Sequence, residues 1–131
     1  MVLDMEEVYS DGAKRFKEDV LFHRIIEWSK RHIKLDNGKI LAITGEDDCC
    51  AWANGLFSEI KTDVLITDVV ISKEKSYSAE LTLLYDAGSA GLVIFTGDPG
   101  NEYYAAVATI KVFKNEIEDE YCIYDCRGYI L

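Results

Sequence analysis

Alternation of apolar and polar residues dominates the second half of the chain. Tyr77 to Tyr85 (YSAELTLLY) sets Ala79, Leu81, Leu83 and Tyr85 on one face, the period of a half-buried strand. Tyr103 to Phe113 alternates in the same way. Val64 to Ile71 (VLITDVVI) is rich in β-branched residues and is a strand by propensity. Ala90 to Thr96 (AGLVIFT) is a short apolar run. Gly97 to Glu102 (GDPGNE) reads as a turn, because its proline cannot continue a ladder. Glu120 to Leu131 supplies one or two closing strands. Earlier in the chain, Arg31–Leu35 and Lys39–Thr44 flank Asp36-Asn37-Gly38. Asn-Gly between apolar runs marks a hairpin, since both residues tolerate positive φ. Residues 51–60 (AWANGLFSEI) suit a loop or a helical turn. Residues 20–33 fit both periods: Phe22, Ile26 and Ile33 at helical spacing, or Phe22, Arg24, Ile26 and Trp28 on one strand face. The charged first twenty residues suit a short helix, capped by Ser10 or Asp11, with Lys14, Arg15 and Lys17 on its exposed side. Six or seven strands at spacings of about ten residues predict a mainly β (α+β) fold: one antiparallel sheet, curled or sandwiched, behind a short N-terminal helix. Residues 1–20 form the helical or irregular N-terminal segment and 21–131 the β domain, within a single domain.

Composition agrees with this picture. A chain of 131 residues, 49% apolar, buries roughly two-thirds of its unfolded surface and supports a true core. No apolar run approaches the ~20 residues that cross a bilayer as a helix, and residues 1–10 carry acids but no basic residue. The expectation is a cytoplasmic protein without a membrane partner. The net charge of −10 is unevenly placed. Residues 1–39 carry eight acids and eight bases, so all ten excess negative charges lie in residues 40–131. Such a surface repels phosphate backbones and disfavours nucleic acid. It suits a basic protein surface or a cation, or serves solubility alone.

The densest candidate chemistry is Gly45-Glu46-Asp47-Asp48-Cys49-Cys50, three carboxylates running into two adjacent thiols. Zinc is not expected. Cys122-x₃-Cys126 fits one knuckle loosely, but neighbouring extended residues such as Cys49 and Cys50 point to opposite faces. Small buried thiols are the simpler reading. A calcium site built from Asp47, Asp48, Asp98 and Glu102 lacks a looped ligand spacing. Cys49 or Cys50 beside His32 could pair as thiol and imidazole, yet the adjoining acids would raise a thiol pKa, against reactivity. Both histidines, His23 and His32, are expected on strands of the first hairpin. No nucleophile elbow, zinc-protease or phosphate-loop motif occurs. No catalytic residue, cofactor or metal is therefore assigned.

Three stretches together, IIEWSKRHIKLDNGKILAITGEDDCCAWA, DVLITDV and GNEYYAAVATIKV, resemble a family of small uncharacterised proteins encoded mostly by tailed phages and phage-derived bacterial islands. The shared features are the hairpin turn, the acidic-Cys-Cys run and a Gly-Asn-x-Tyr-Tyr-like turn, over roughly residues 24–113. The resemblance implies a β-rich fold and favours a strand over residues 22–28. It brings no known activity. Glu102 departs from the small residue expected at that position.

Binding is the function these residues suit best. Asp47, Asp48, Trp52, Asn101, Tyr103 and Tyr104 are the candidate site, with core packing of the aromatics as the bland alternative. Tyrosine and tryptophan join an apolar body to a polar tip and concentrate at interfaces. The loop after Cys50 and the turn at Gly100-Asn101 are expected at one end of the sheet. The leading expectation is a small phage-type accessory protein whose acidic, aromatic surface engages a basic host or defence protein in the host cytoplasm. One alternative is a sponge for a nucleotide-derived immune signal, its pocket between protomers of a homo-oligomer. Another is a structural module without ligand.

Overall fold

The computed structural model of the chain describes residues 11–48, 50–100 and 105–131. Helix α1 spans Gly12–Val20 and buries Gly12, Phe16 and Val20, four residues apart on one stripe. Asp11 holds the N-cap position, but its side chain makes no capping bond. Of the basic residues expected on the open side of this helix, Lys14 is exposed, whereas Arg15 and Lys17 form ion pairs. Lys17 Nζ meets Asp68 Oδ1 at 2.7 Å, and Arg15 Nη2 meets Asp119 Oδ1 at 2.5 Å, with its guanidinium over the Tyr121 ring. The reason is that α1 packs against β6 and β10, which brings Lys17 and Arg15 within reach of carboxylates on those strands.

Among the described residues eleven strands follow: β1 (Arg24–Trp28), β2 (His32–Leu35), β3 (Ile40–Thr44), β4 (Glu46–Asp48), β5 (Ala51–Ser58), β6 (Val64–Lys75), β7 (Ser78–Tyr85), β8 (Ala90–Asp98), β9 (Val107–Lys114), β10 (Glu116–Asp125) and β11 (Tyr129–Ile130). They form one antiparallel sheet in the order β11-β10-β9-β3-β2-β1-β6-β7-β8-β5-β4. The mainly β architecture with a short N-terminal helix matches the sequence expectation, but the count of six or seven strands was too low. Within residues 51–60, Ala51–Ser58 are strand β5, not a loop or helical turn. Their alternation is strict, but the inward residues before Phe57 are Ala51, Ala53 and Gly55, too small to register as hydrophobic. The ambiguous stretch resolves in parts: Val20 ends α1, Phe22 turns at φ 64° outside the strand expected over 22–28, Arg24–Trp28 form β1, and His32 opens β2. Gly97 and Asp98 continue β8, so that the turn begins at Pro99. His23 precedes β1 instead of lying on it, and its Nδ1 meets Asp36 Oδ1 at 2.8 Å. The β2–β3 hairpin turns with Gly38 alone at positive φ (86°), and the Gly38 N–H donates to the Leu35 carbonyl. Asn37 keeps negative φ, so this is a three-residue turn closed by glycine instead of the two-residue Asn-Gly type.

The sheet curls until its halves face each other. Strand β5 packs on β3 and β9, and β11 packs on β6 and β7. Between the halves Phe95 of β8 stacks on Tyr124 of β10 with ring centroids 5.4 Å apart, and Phe16 of α1 meets Phe57 of β5. The β1–β2 turn ties the halves directly. The Lys30 carbonyl accepts the Phe57 N–H, and the Phe57 carbonyl accepts Trp28 Nε1–H.

A buried carboxylate paired with a half-exposed arginine fixes the last turn. Asp125 is 6% exposed and accepts from Arg127 Nε, Nη2 and backbone N–H at 2.9–3.0 Å. Burial alone would raise its carboxyl pKa, but the Arg127 bonds outweigh burial and hold it below the ordinary value. A lowered folded-state pKa adds stability that is complete above the unfolded value, near 4, and is lost as pH falls through the folded value. Asp125→Asn is therefore expected to cost about 2 kcal/mol at pH 7. In urea unfolding curves, the gap to the wild type should close progressively below about pH 4. A gap that is constant from pH 7 to pH 2.5 would contradict the assignment.

Candidate functional site

The acidic run of the sequence forms an edge strand. After β3 the chain crosses at Gly45 from one half of the sheet to the other. A Cβ there would lie 2.6 Å from the Ala53 carbonyl oxygen and 2.8 Å from the Asn54 side chain, so the crossing needs glycine's bare backbone. Strand β4 then pairs with β5: Glu46 opposite Ala53, Asp47 opposite Trp52, Asp48 opposite Ala51. On its other side β5 pairs with β8, which sets Trp52 opposite Asp98. Residues directly opposite in an antiparallel ladder share a face. Asp47, Trp52 and Asp98 thus form one row across three strands, all exposed, with the indole 40% exposed between two carboxylates.

The two turns beyond this row meet. Gly100, at φ 62°, lies so close to Cys50 that a Cβ would sit 2.3 Å from the Cys50 carbonyl oxygen. Asp98 Oδ1 accepts the Gly100 N–H at 2.8 Å and so shapes the turn as well as facing solvent. Of the sequence-derived candidates, Asp47 and Trp52 are therefore brought together, and Asp48 lies on the same strand. Asn101, Tyr103 and Tyr104 fall outside the described residues.

Beside the row, a cleft of about 460 Å³ opens between the β3–β4 crossing and the β1–β2 turn. Its walls include Arg31, Thr44, Glu46, Asp47, Trp52 and Asn54. Sequence reasoning gave Arg31 only a minor place. Here its guanidinium bonds to Asn54 Oδ1 and, at 2.8 Å, to the Gly55 carbonyl. It spans from the β1–β2 turn to β5, a contact no local pattern announces.

The electrostatics of the neighbourhood oppose nucleophilic chemistry. Burial pushes the Cys122 thiol pKa up, and the charges of Glu46 and Glu120 push it further. His32 Nδ1 is 2.6 Å from Ser29 Oγ, within its own turn. The calcium reading meets a geometric obstacle. Asp47 and Asp98 stand two strands apart, about 10 Å between backbones, with Trp52 between them. Calcium holds its oxygens at about 2.3–2.6 Å. Among the described residues no three Asp, Glu, His or Cys side chains are grouped to hold a metal ion, and no helix is long and apolar enough to cross a membrane. What the row can do is hold a cation: two carboxylates supply charge, and the indole face supplies cation–π attraction.

Comparison with known proteins gives one family. The model for Domain of unknown function (DUF7448) matches residues 18–110. That span includes the Asp47–Trp52–Asp98 row and every wall of the cleft. No curated protein and no solved structure matches the chain.

Proposed function

We propose that this chain, which belongs to the DUF7448 family of uncharacterised domains, acts by binding a basic protein segment and not by catalysis. The observation that carries this reading is the Asp47–Trp52–Asp98 row, an exposed tryptophan held between two carboxylates on a rigid ladder. A lysine or arginine laid on the indole gains both ion pairing and cation–π contact, about 0.5–1 kcal/mol for the latter at an exposed site. The charge asymmetry supports it, since residues 40–131 carry sixteen acids against six bases. The resemblance to tailed-phage and prophage-island proteins supports an accessory role in which the partner is a host or defence protein.

The sponge for a nucleotide-derived signal is less well supported. It needs cationic donors facing phosphates. Arg31 is the cation in the cleft wall, it already bonds to Asn54 and Gly55, and Glu46 and Asp47 share the space.

The test is a calorimetric titration with a flexible peptide of alternating arginine and glycine. Binding should weaken as salt rises, because exposed charges are screened beyond ~8–10 Å at physiological ionic strength. Asp47→Ala and Trp52→Ala should each lower affinity about two- to fivefold, the equivalent of about 0.5–1 kcal/mol. Salt-independent binding, or two variants that bind as the wild type does while keeping its circular dichroism spectrum, would overturn the reading.

A further inference from the structure

The outer face of β5, β8, β7 and β6 carries an apolar field that no described element covers. Register places Leu56, Ile94 and Glu80 in one row, Ser58, Leu92, Thr82 and Val70 in the next, and Leu84 opposite Ala90 beyond it. These side chains point away from the core. Leu56, Val70 and Leu84 are 36–39% exposed, and Ile94 and Leu92 are half-buried. The charges in and beside this field balance: Glu80 stands opposite Lys73, Asp68 opposite Leu84, and Arg31 borders Leu56, Ile94 and Thr96. Helix α1 packs instead against β6 and β10, inside the curl. The field continues along β5 and β8, through Asn54 and Thr96, to the Asp47–Trp52–Asp98 row.

We infer that this face receives an amphipathic helix of the partner protein, lying along the strands with its apolar stripe on Leu56, Ile94, Leu92, Val70 and Leu84 and a basic terminal turn on the acidic row. The inference rests on the function proposed above and gives its partner a shape. Size selects a helix over a second copy of this chain. Four strands at ~4.8 Å span about 15 Å, and the eight residues from Trp52's row to Leu84's span about 27 Å. That gives roughly 400 Å², half of the ~800 Å² each partner buries in a standard interface. A helix of about 18 residues is 27 Å long and 10–12 Å across, which fits the field. Charge selects a basic helix: the field is nearly neutral, its end is acidic, and the chain as a whole carries −10.

The probe is a synthetic 18-residue leucine–lysine peptide patterned as an amphipathic helix with a lysine-rich terminal turn. Its control is a scrambled peptide of identical composition. Titration of isotope-labelled protein, followed by amide and methyl shifts, should show the patterned peptide binding at least tenfold more tightly than the scrambled one, with shifts centred on Leu56, Leu92, Ile94 and Val70. Ile94→Lys should abolish that preference while leaving the arginine–glycine peptide's affinity within twofold. Val70→Lys repeats the test at a more exposed position should the first variant fail to fold. Equal binding of patterned and scrambled peptides overturns the inference, as does an undiminished preference in both variants. A protein that sediments as a dimer, dissociated by Ile94→Lys, also overturns it, in favour of a second copy on this face. Loss of arginine–glycine binding alone, with the helix still preferred, would count against the acidic row and not against the apolar field.

Discussion

Phe57→Ala is expected to destabilise the protein by about 3–5 kcal/mol, the range for deleting a fully buried aromatic ring. Phe57 is 0% exposed and sits where three parts of the fold converge. Its ring meets Phe16 of the helix at 6.5 Å between centroids. Its N–H and carbonyl hold Lys30 of the β1–β2 turn and Trp28 at the end of β1. The strand backbone survives the substitution, so the loss reports the ring and the cavity it leaves. Phe16→Ala should cost a similar amount, and the double variant less than the sum of the two, because both remove the same contact. Chemical unfolding of the four proteins measures this. Strictly additive effects would mean that α1 is not docked on β5 through these rings.

Gly128→Ala should cost about 3 kcal/mol, from left-handed strain and steric overlap together. Gly128 has φ 111°, and a Cβ there would lie 1.9 Å from the Lys75 carbonyl oxygen and 2.6 Å from the Tyr77 nitrogen. Both obstacles are backbone and cannot swing aside. The turn between β10 and β11 must then part from the β6–β7 tip. That endangers the bond from the Tyr77 N–H to the Arg127 carbonyl, at 3.3 Å, and the bond from the Ile130 N–H to Glu74 Oε2, at 2.9 Å. A fall of about 10 °C in melting temperature is the expected readout for a domain of this size. An unchanged melting temperature would show that the two tips are not pressed together.

Strands whose inward residues are large were legible in the sequence. In β7, Ala79, Leu81, Leu83 and Tyr85 all point inward, as the alternation implies. Strand β5 escaped notice for a steric reason. It lies under β3 and across from β8, and a Cβ on Gly55 would come within 2.5 Å of the Phe95 ring and 3.3 Å of Ile43. Close layers demand small residues, and small residues carry little hydrophobic signal. Strand β4 was hidden because three acids have no strand propensity; its form comes from pairing with β5. The site was legible in part for the same reason. Asp47 and Trp52 stand out as residue types, but only the ladder register shows that Asp98 completes their row. Arg31's bonds to Asn54 and Gly55 bridge 23 and 24 positions, beyond any local pattern.

The strand order also bears on how this protein keeps its own copies apart. Among the described residues the sheet ends on β4 and β11, three and two residues long. At the β4 end, a neighbouring molecule trying to extend the ladder finds only three residues to pair with. At β4 it would also set itself against Glu46 and Asp47, where like charges repel and short charged edges resist strand addition. The same carboxylates that suit a cationic partner thus guard a strand-rich chain against fibril growth. Removing Asp47 to probe binding also weakens that guard, so such a variant is best compared with the wild type at low, matched concentration, where aggregation cannot pass for lost affinity.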